Sequence, residues 1–325
     1  MDADDKIFDK FQVHIDKINL ELHDVLTSKE PLAKEMGCYA LLGRGKRLRP
    51  LLFVLCAELC GYKGEDTYRL STLFEYVHAA SLLHDDVLDN AEVRRRRPSV
   101  NHLWGNHAAV IAGDFLYCTA SSISLRANNM DFFRILAETT TRMTEGQILE
   151  MTNTGNLSLS REDYFKIITF KTAELISAAC ASPALLAGVD SDTVEALVRF
   201  GINMGIAFQL IDDLLDYTSS ELVFGKPVGK DLREGKVTLP LIYTLEKSRD
   251  DEKAMIIKSF GQRSSEKPDY EYVIDLVRRC GSLDRVYSEA GEYSRRAAGC
   301  LEMFRACPAR ESLLEINEYI IERSY

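Results

Sequence analysis

Two short segments each set three carboxylates at a spacing that a helix would gather into one patch: His84-Asp85-Asp86-Val87-Leu88-Asp89 and Ile211-Asp212-Asp213-Leu214-Leu215-Asp216. In each, the first and third aspartates stand four residues apart and the second stands three from the third, so all three project from neighbouring helical positions. Like charges about 4 Å apart repel by roughly 4 kcal/mol at an effective dielectric near 20, so such a patch calls for a cation. Hard carboxylate oxygens suit magnesium, which keeps several waters and shares its shell with substrate phosphates. A solvated acidic helix end is the plainer reading of one such triplet. Two copies, each preceded by an apolar segment (74–83 and 206–211), make poor solvent-facing decoration, and Asp85, Asp86, Asp89, Asp212, Asp213 and Asp216 become candidate metal ligands.

Separate groups of cations offer the counterpart. Gly43-Arg44-Gly45-Lys46-Arg47-Leu48-Arg49-Pro50 places basic side chains on a glycine-relieved turn just before a helix, a suitable cradle for an anion. Arg94 to Arg97 form a run that begins five residues after Asp89. Phe170-Lys171-Thr172-Ala173 puts a lysine inside a helix that otherwise reads as core, where it should face a partner or a cavity. Gly225-Lys226-Pro227, Gly229-Lys230-Asp231 and then Lys236 make a glycine-rich basic loop able to close over a ligand. Each group alone is also readable as solvated surface. In a chain of formal net charge −10, which repels phosphate backbones as a whole, basic clusters beside acid patches are better explained by a shared diphosphate, and nucleic acid is a poor partner.

The elements that must position these groups are helices. Phe8, Phe11, Ile15 and Ile18 recur at helical spacing, and further helical stretches are predicted over 51–60, 67–89, 107–125, 132–151, 161–187, 193–217 and 239–247, with no convincing strand between them. Turn-rich linkers fall at 61–64, 98–101, 153–158, 224–235 and 261–268. Hydrophobic residues at 46% can fill a large core, and no composition shift marks a boundary within the 325 residues. The eight cysteines show no CxxC pair and read as reduced thiols in a cytosol-like compartment. The acidic first residues do not resemble a cleavable targeting peptide, so cytoplasmic or organelle-associated residence is expected. No uninterrupted apolar run is long enough to span a bilayer, which leaves peripheral membrane contact open.

Taken in order, the segments GRGKRLRP, DDVLDNAEVRR, FKTA, FQLIDDLLD and GKPVGKD resemble the trans-isoprenyl diphosphate synthases, or polyprenyl synthetases. The resemblance runs over most of the chain and departs from the family pattern at Arg44, which breaks a glycine pair, and at Arg96, which stands where a glycine usually follows the paired arginines. It implies an all-α, single-domain bundle of residues 1–325 around a deep central cavity, working as a homodimer with three magnesium ions and bound diphosphate. By position, Asp85, Asp86 and Asp89 would form the first metal site and Asp212, Asp213 and Asp216 the second. Lys46, Arg49, His78 and Arg95 would hold isopentenyl diphosphate. Arg94, Lys171, Lys226 and Lys236 would clamp the allylic diphosphate, with Thr172 and Gln209 near the developing cation.

Such residues suit ionisation of an allylic diphosphate, with cations stabilising the leaving group, followed by attack of the isopentenyl double bond. No protein base stands out, so the released pyrophosphate is the expected proton acceptor, and His84 reads as a structural hydrogen-bonder. Val77, Ala80 and Ser81 are small where short-chain members of the family place an aromatic ring. An open cavity there, with a floor at Phe115, Leu116 or Met143, would give octaprenyl to decaprenyl products of the kind used as quinone side chains such as that of ubiquinone. Short- or medium-chain synthesis, a non-catalytic subunit of a heteromeric synthase, and a class I terpene cyclase are the rival readings. The last would not need Lys46, Arg49 and a second full triplet.

Overall fold

The computed structural model describes residues 6–26, 28–43, 45–95, 97–218, 228–260 and 268–322. The chain runs α1 (Lys6–Asp9), α2 (Gln12–Val25), α3 (Pro31–Leu41), α4 (Leu48–Leu59) and α5 (Thr67–Leu88). A two-residue hairpin follows, β1 (Val93–Arg94) and β2 (Arg97–Pro98), antiparallel with Val93 opposite Pro98 and Arg94 opposite Arg97. Then come α6 (Val100–Trp104), α7 (Asn106–Leu125), α8 (Met130–Thr152), α9 (Arg161–Ile168), a π-helical turn (Thr169–Ala173), α10 (Glu174–Ala187) and α11 (Ser191–Thr218). The remainder is α12 (Lys230–Arg233), α13 (Leu239–Lys247), α14 (Asp250–Phe260), α15 (Tyr270–Arg279), α16 (Ser282–Cys300) and α17 (Pro308–Glu322). Among the described residues the hairpin is the only strand structure, as the all-α reading expects.

Several helices start at short polar residues whose oxygens take up backbone N–H groups that no helical carbonyl can reach. Asn129 Oδ1 accepts from the amides of Asp131 and Phe132 at 3.0 Å each ahead of α8. Ser160 accepts from Asp163 N at 3.0 Å and donates back to its carboxylate at 2.7 Å at the start of α9. Asp190 accepts from Thr193 N at 2.9 Å ahead of α11. The predicted N-terminal helix is divided at Lys10–Phe11, yet Phe8, Phe11, Ile15 and Ile18 are all buried, so the apolar spacing identified the buried side although not the break. The single helix predicted over 161–187 is three segments, because the π-turn interrupts it.

Contacts divide the chain into two compact units. The first takes in Met1–Thr141, Leu175–Gly201 and Cys300–Ile316. Its centre is α5, buried on nearly all sides as an all-round apolar helix should be, from Leu70 through Val77, Ala79 and Ala80 to Leu83. Phe53, Phe74 and Phe132 meet around it with ring centroids 5.6 and 6.3 Å apart. The second unit takes in Arg142–Glu174, Ile202–Gly299 and Asn317–Tyr325. Its core joins Ile167, Leu210, Leu214, Tyr217, Leu241, Val273 and Val286. Helices α7 and α11 are long and apolar enough to cross a bilayer, although 39% and 56% of their most apolar windows are buried inside the protein. Polar residues scattered along both keep them from forming the uninterrupted run sought in the sequence.

Candidate active site

In the first unit the triplet Asp85, Asp86 and Asp89 closes α5, with Asp89 as its C-cap. A helix C-terminus carries partial negative charge, so carboxylates here need cations more than they would elsewhere. One is supplied internally. Asp86, 2% exposed, accepts from Arg94 Nε at 2.7 Å and also from Arg94 Nη2, while Asp85 and Asp89 stay half-buried. Asn101 Nδ2 donates to the carbonyls of Asp86 and Ala91 at 3.2 and 3.1 Å, tying α6 to the end of α5. His84 meets the α7 backbone at Val110 O, 3.1 Å away, and Gly113 makes room for its ring, since a Cβ there would lie 2.3 Å from Nε2. Burial and then Asp85 push the Tyr117 phenol up to about 12.

Basic groups crowd the next turn back along α5. Desolvation, then Arg49, Arg95, Arg94 and Arg47, drive the His78 pKa well below its ordinary value, so the imidazole is neutral among four arginines. Lys46 is exposed, its ammonium 5.5 Å from the centre of the Phe8 ring. A small cavity of about 40 Å³ is lined by Tyr39, Asp86, Arg94, Arg95, Arg97 and Ser99, among others. Arg97, named in the sequence only as the end of the arginine run, has its guanidinium 4.1 Å from the centre of the Tyr39 ring and donates to Tyr39 O. It also explains Gly43, where a Cβ would come 2.4 Å from Arg97 Nη2. Of the proposed chain-length residues, Val77 and Ala80 are fully buried and Ser81 is half-buried. Among the floor residues Leu116 is fully buried, Met143 nearly so, and Phe115 half-buried.

The second unit holds a pocket of about 140 Å³ built on the π-turn. A π-turn re-aims consecutive side chains, here Lys171 and Thr172. Two glycines let it approach its neighbours: a Cβ at Gly146 would lie 2.7 Å from Lys171 N, and one at Gly205 would lie 2.5 Å from Ala173 Cα. Lys171 Nζ donates to Glu150 at 2.5 Å. Thr172 Oγ1 donates to Gln209 Oε1 at 2.8 Å, and Gln209 Nε2 donates to Asp213 Oδ1 at 2.8 Å. Tyr164 donates to the other Asp213 oxygen at 2.6 Å. Asp216 caps α12, its two oxygens accepting from Lys230 N at 3.1 Å and Asp231 N at 3.0 Å. Lys236 Nζ donates to Glu234 at 2.8 Å. Lys226 lies outside the described residues.

Asp213 and Asp231 in this pocket, and Asp216 beside them on α11, are carboxyls whose pKa is raised by burial. Burial, then Asp231, holds the Asp213 carboxyl well above the usual range, against the hydrogen bonds from Tyr164 and Gln209. Burial raises Asp216 against the amides that it caps. Burial and Asp216 push Asp231 up to about 7 while Lys236 opposes them. Such a set fits a divalent cation, which favours the ionised form of each group. Among the described residues no group of three or more His, Cys, Asp or Glu side chains converges on one point. The donors therefore suit a hard ion that takes one or two carboxylates and completes its shell with water and phosphate oxygens. Tyr164, Glu150 and Asp231 are contributors that the sequence reading assigned no role. Asp231 stands inside the glycine-rich motif already singled out, whereas nothing in the spacing points to Tyr164.

Comparisons with known proteins agree. The polyprenyl synthetase family model matches residues 30–277. Octaprenyl diphosphate synthase of Escherichia coli is 34% identical over 306 residues, 94% of this chain and 94% of its own. Geranylgeranyl diphosphate synthase of Methanosarcina mazei is 35% identical over 317 residues, 96% of this chain and 95% of its own. The crystal structure of a polyprenyl synthase from Caulobacter crescentus, complexed with calcium and isoprenyl diphosphate, matches with a TM-score of 0.93 at 34% identity, covering 99% of this chain and 98% of that one. The helical architecture is thus that of the isoprenoid synthases. With both aspartate triplets in place and a lysine aimed by the π-turn, the chain belongs to the polyprenyl synthetase family and is a trans-prenyltransferase that extends prenyl diphosphates.

Proposed function

We propose that the chain condenses isopentenyl diphosphate head to tail with an allylic diphosphate, in a magnesium-dependent reaction, to give a long all-trans polyprenyl diphosphate for a quinone side chain. The observation that carries the reaction type is the π-turn pocket, where Lys171 and Lys236, buried carboxylates and uncharged dipoles meet without a serine or cysteine nucleophile. Magnesium, held by Asp85 and Asp89 in the first unit and Asp212 in the second, would supply positive charge opposite diphosphate oxygens. Asp86, Asp213 and Asp216, engaged by Arg94, by Tyr164 and Gln209, and by the start of α12, hold the geometry around them.

Lys171, Lys236 and Lys226 bind the departing diphosphate, as does Arg94, while Lys46, Arg49, His78 and Arg95 hold isopentenyl diphosphate. Thr172 spends its only O–H on Gln209, so the lone pairs of its oxygen are left for a developing allylic cation. The proton lost after condensation passes to the released pyrophosphate. The likeness to the E. coli octaprenyl enzyme supports a long product. A shorter product is favoured by the likeness to the M. mazei geranylgeranyl enzyme. We also infer a single catalytic domain over residues 1–325, working as a homodimer in the cytoplasm or on an organelle, with peripheral membrane contact at most. Exposed Leu103, Val110, Ile111 and Leu125 on α6 and α7 support the dimer.

The test is incubation with magnesium, farnesyl or geranylgeranyl diphosphate and labelled isopentenyl diphosphate, with product length read by chromatography. A ladder ending in long all-trans products, stopped by EDTA and restored by magnesium, is the expected result. No incorporation by a folded sample that still binds diphosphate would point instead to a subunit needing a partner.

A further inference from the structure

Arg47 stands between the basic turn and α4 in a left-handed backbone conformation, φ 52° and ψ 35°. That conformation is unfavourable for any residue with a Cβ, so something must hold it there. The side chain does. Its guanidinium is buried and donates from Nη1 to Glu75 Oε1 at 2.8 Å, from Nε to Asn19 Oδ1 at 2.9 Å and from Nη2 to Gly43 O at 3.1 Å. One residue thereby ties the turn to α2, to α5 and to its own first glycine. Glu75 is as deeply buried, 4% exposed, and lies one helical turn before His78 on α5. A buried ion pair of this kind is weak evidence of stabilisation, because desolvation consumes most of the attraction. What it supplies is geometry, since Lys46 precedes Arg47 directly and Arg49 follows two residues later.

We propose that Glu75, acting through Arg47, is a positioning residue that fixes the backbone of residues 43–49 where Lys46 and Arg49 can hold the diphosphate of the isopentenyl substrate, and so sets affinity for that substrate without touching it. This rests on the reading above that the basic turn is a diphosphate site. Charge and position make opposite demands. If Glu75 served only as a negative charge among the arginines, removing that charge would tighten anion binding, and shortening the side chain would change nothing.

The experiment compares wild type, Glu75→Asp, Glu75→Gln and Asn19→Ala. Inorganic diphosphate binding is measured by calorimetry in EDTA, where metal-assisted sites are silent, and steady-state kinetics follow in magnesium. Glu75→Asp keeps the charge but withdraws the carboxylate from Arg47, and it is expected to weaken diphosphate binding about tenfold. KM for isopentenyl diphosphate should rise in parallel, with kcat and the KM for the allylic substrate held. Glu75→Gln, which can still accept from Arg47, should weaken binding less and must not tighten it. Asn19→Ala, which removes only a neutral partner of Arg47, should give a smaller rise in the same KM and keeps the test open should the Glu75 variants fail to fold. Wild-type affinity in Glu75→Asp, tighter binding in Glu75→Gln, or a fall in kcat with both KM values unchanged would each overturn the proposal. Failure of wild type itself to bind diphosphate in EDTA would instead remove the reading of the turn on which it rests.

Discussion

Asp86 and Asp213 occupy the same middle place in their triplets, and both turn inward, 2% and 3% exposed, to accept hydrogen bonds from protein groups. Their outer neighbours Asp85, Asp89, Asp212 and Asp216 are half-buried, and of these Asp216 accepts from the amides of Lys230 and Asp231. Gln209 is organised in turn, and its carbonyl receives the Thr172 hydroxyl. Thr172→Val keeps the shape and deletes that hydroxyl, so kcat should fall about 10–100-fold, the range set by stranding one buried polar partner. Lys171 is untouched by the change, and the diphosphate KM values should hold; a variant that turns over like wild type would show that Thr172 has no part in the chemistry. Asp231 gives a pH signature. It ionises in the ordinary carboxylate range when unfolded, whereas burial and Asp216 raise it to about 7 in the folded protein. The folded state binds that proton more tightly, so its contribution to stability is complete below about pH 4 and disappears as pH rises through the folded value. Thermal unfolding in EDTA should therefore show wild type losing stability relative to Asp231→Asn between those limits, and a pH-independent difference would contradict the raised pKa.

The π-turn Thr169–Ala173 is the element on which the second unit's pocket depends. One extra residue per turn rotates Lys171 and Thr172 relative to a continuous α-helix, and the distortion survives because glycines face it on two sides. Gly205→Ala would bring a methyl within 2.5 Å of Ala173 Cα, a backbone atom that cannot swing aside. We expect a loss of about 1–3 kcal/mol of stability by chemical denaturation, together with a lower kcat as the turn shifts. Full activity at reduced stability would mean that the turn is packing alone. The capping oxygens of Ser160 and Asp190 stand at or just before the starts of helical stretches predicted at 161 and 193, where a short polar side chain takes up free backbone amides. The π-turn was not visible in the sequence, since the apolar period on either side of it continues without a gap.

For the molecule as a whole, product length is the property that turns on packing. Ser81, the one proposed chain-length residue with accessible surface, is the place to add bulk, and Ser81→Phe should shorten the longest product seen by chromatography. An unchanged ladder would move the determinant away from this face of α5. Residue types and spacing were enough to settle the helical class and to single out both aspartate triplets, the basic turn and the lysine of the FKTA segment as candidates. Each of these is a local pattern in which the chemistry and the helical period lie within a few consecutive residues. What only the folded chain decided is which member of each triplet turns inward, that Val77 and Ala80 are fully buried, and that Tyr164, Glu150 and Glu75 stand behind the motif residues. Those facts depend on side chains that meet from distant elements, such as Tyr164 with Asp213 and Arg47 with Glu75, and burial by a neighbouring helix leaves no mark on the spacing of either partner.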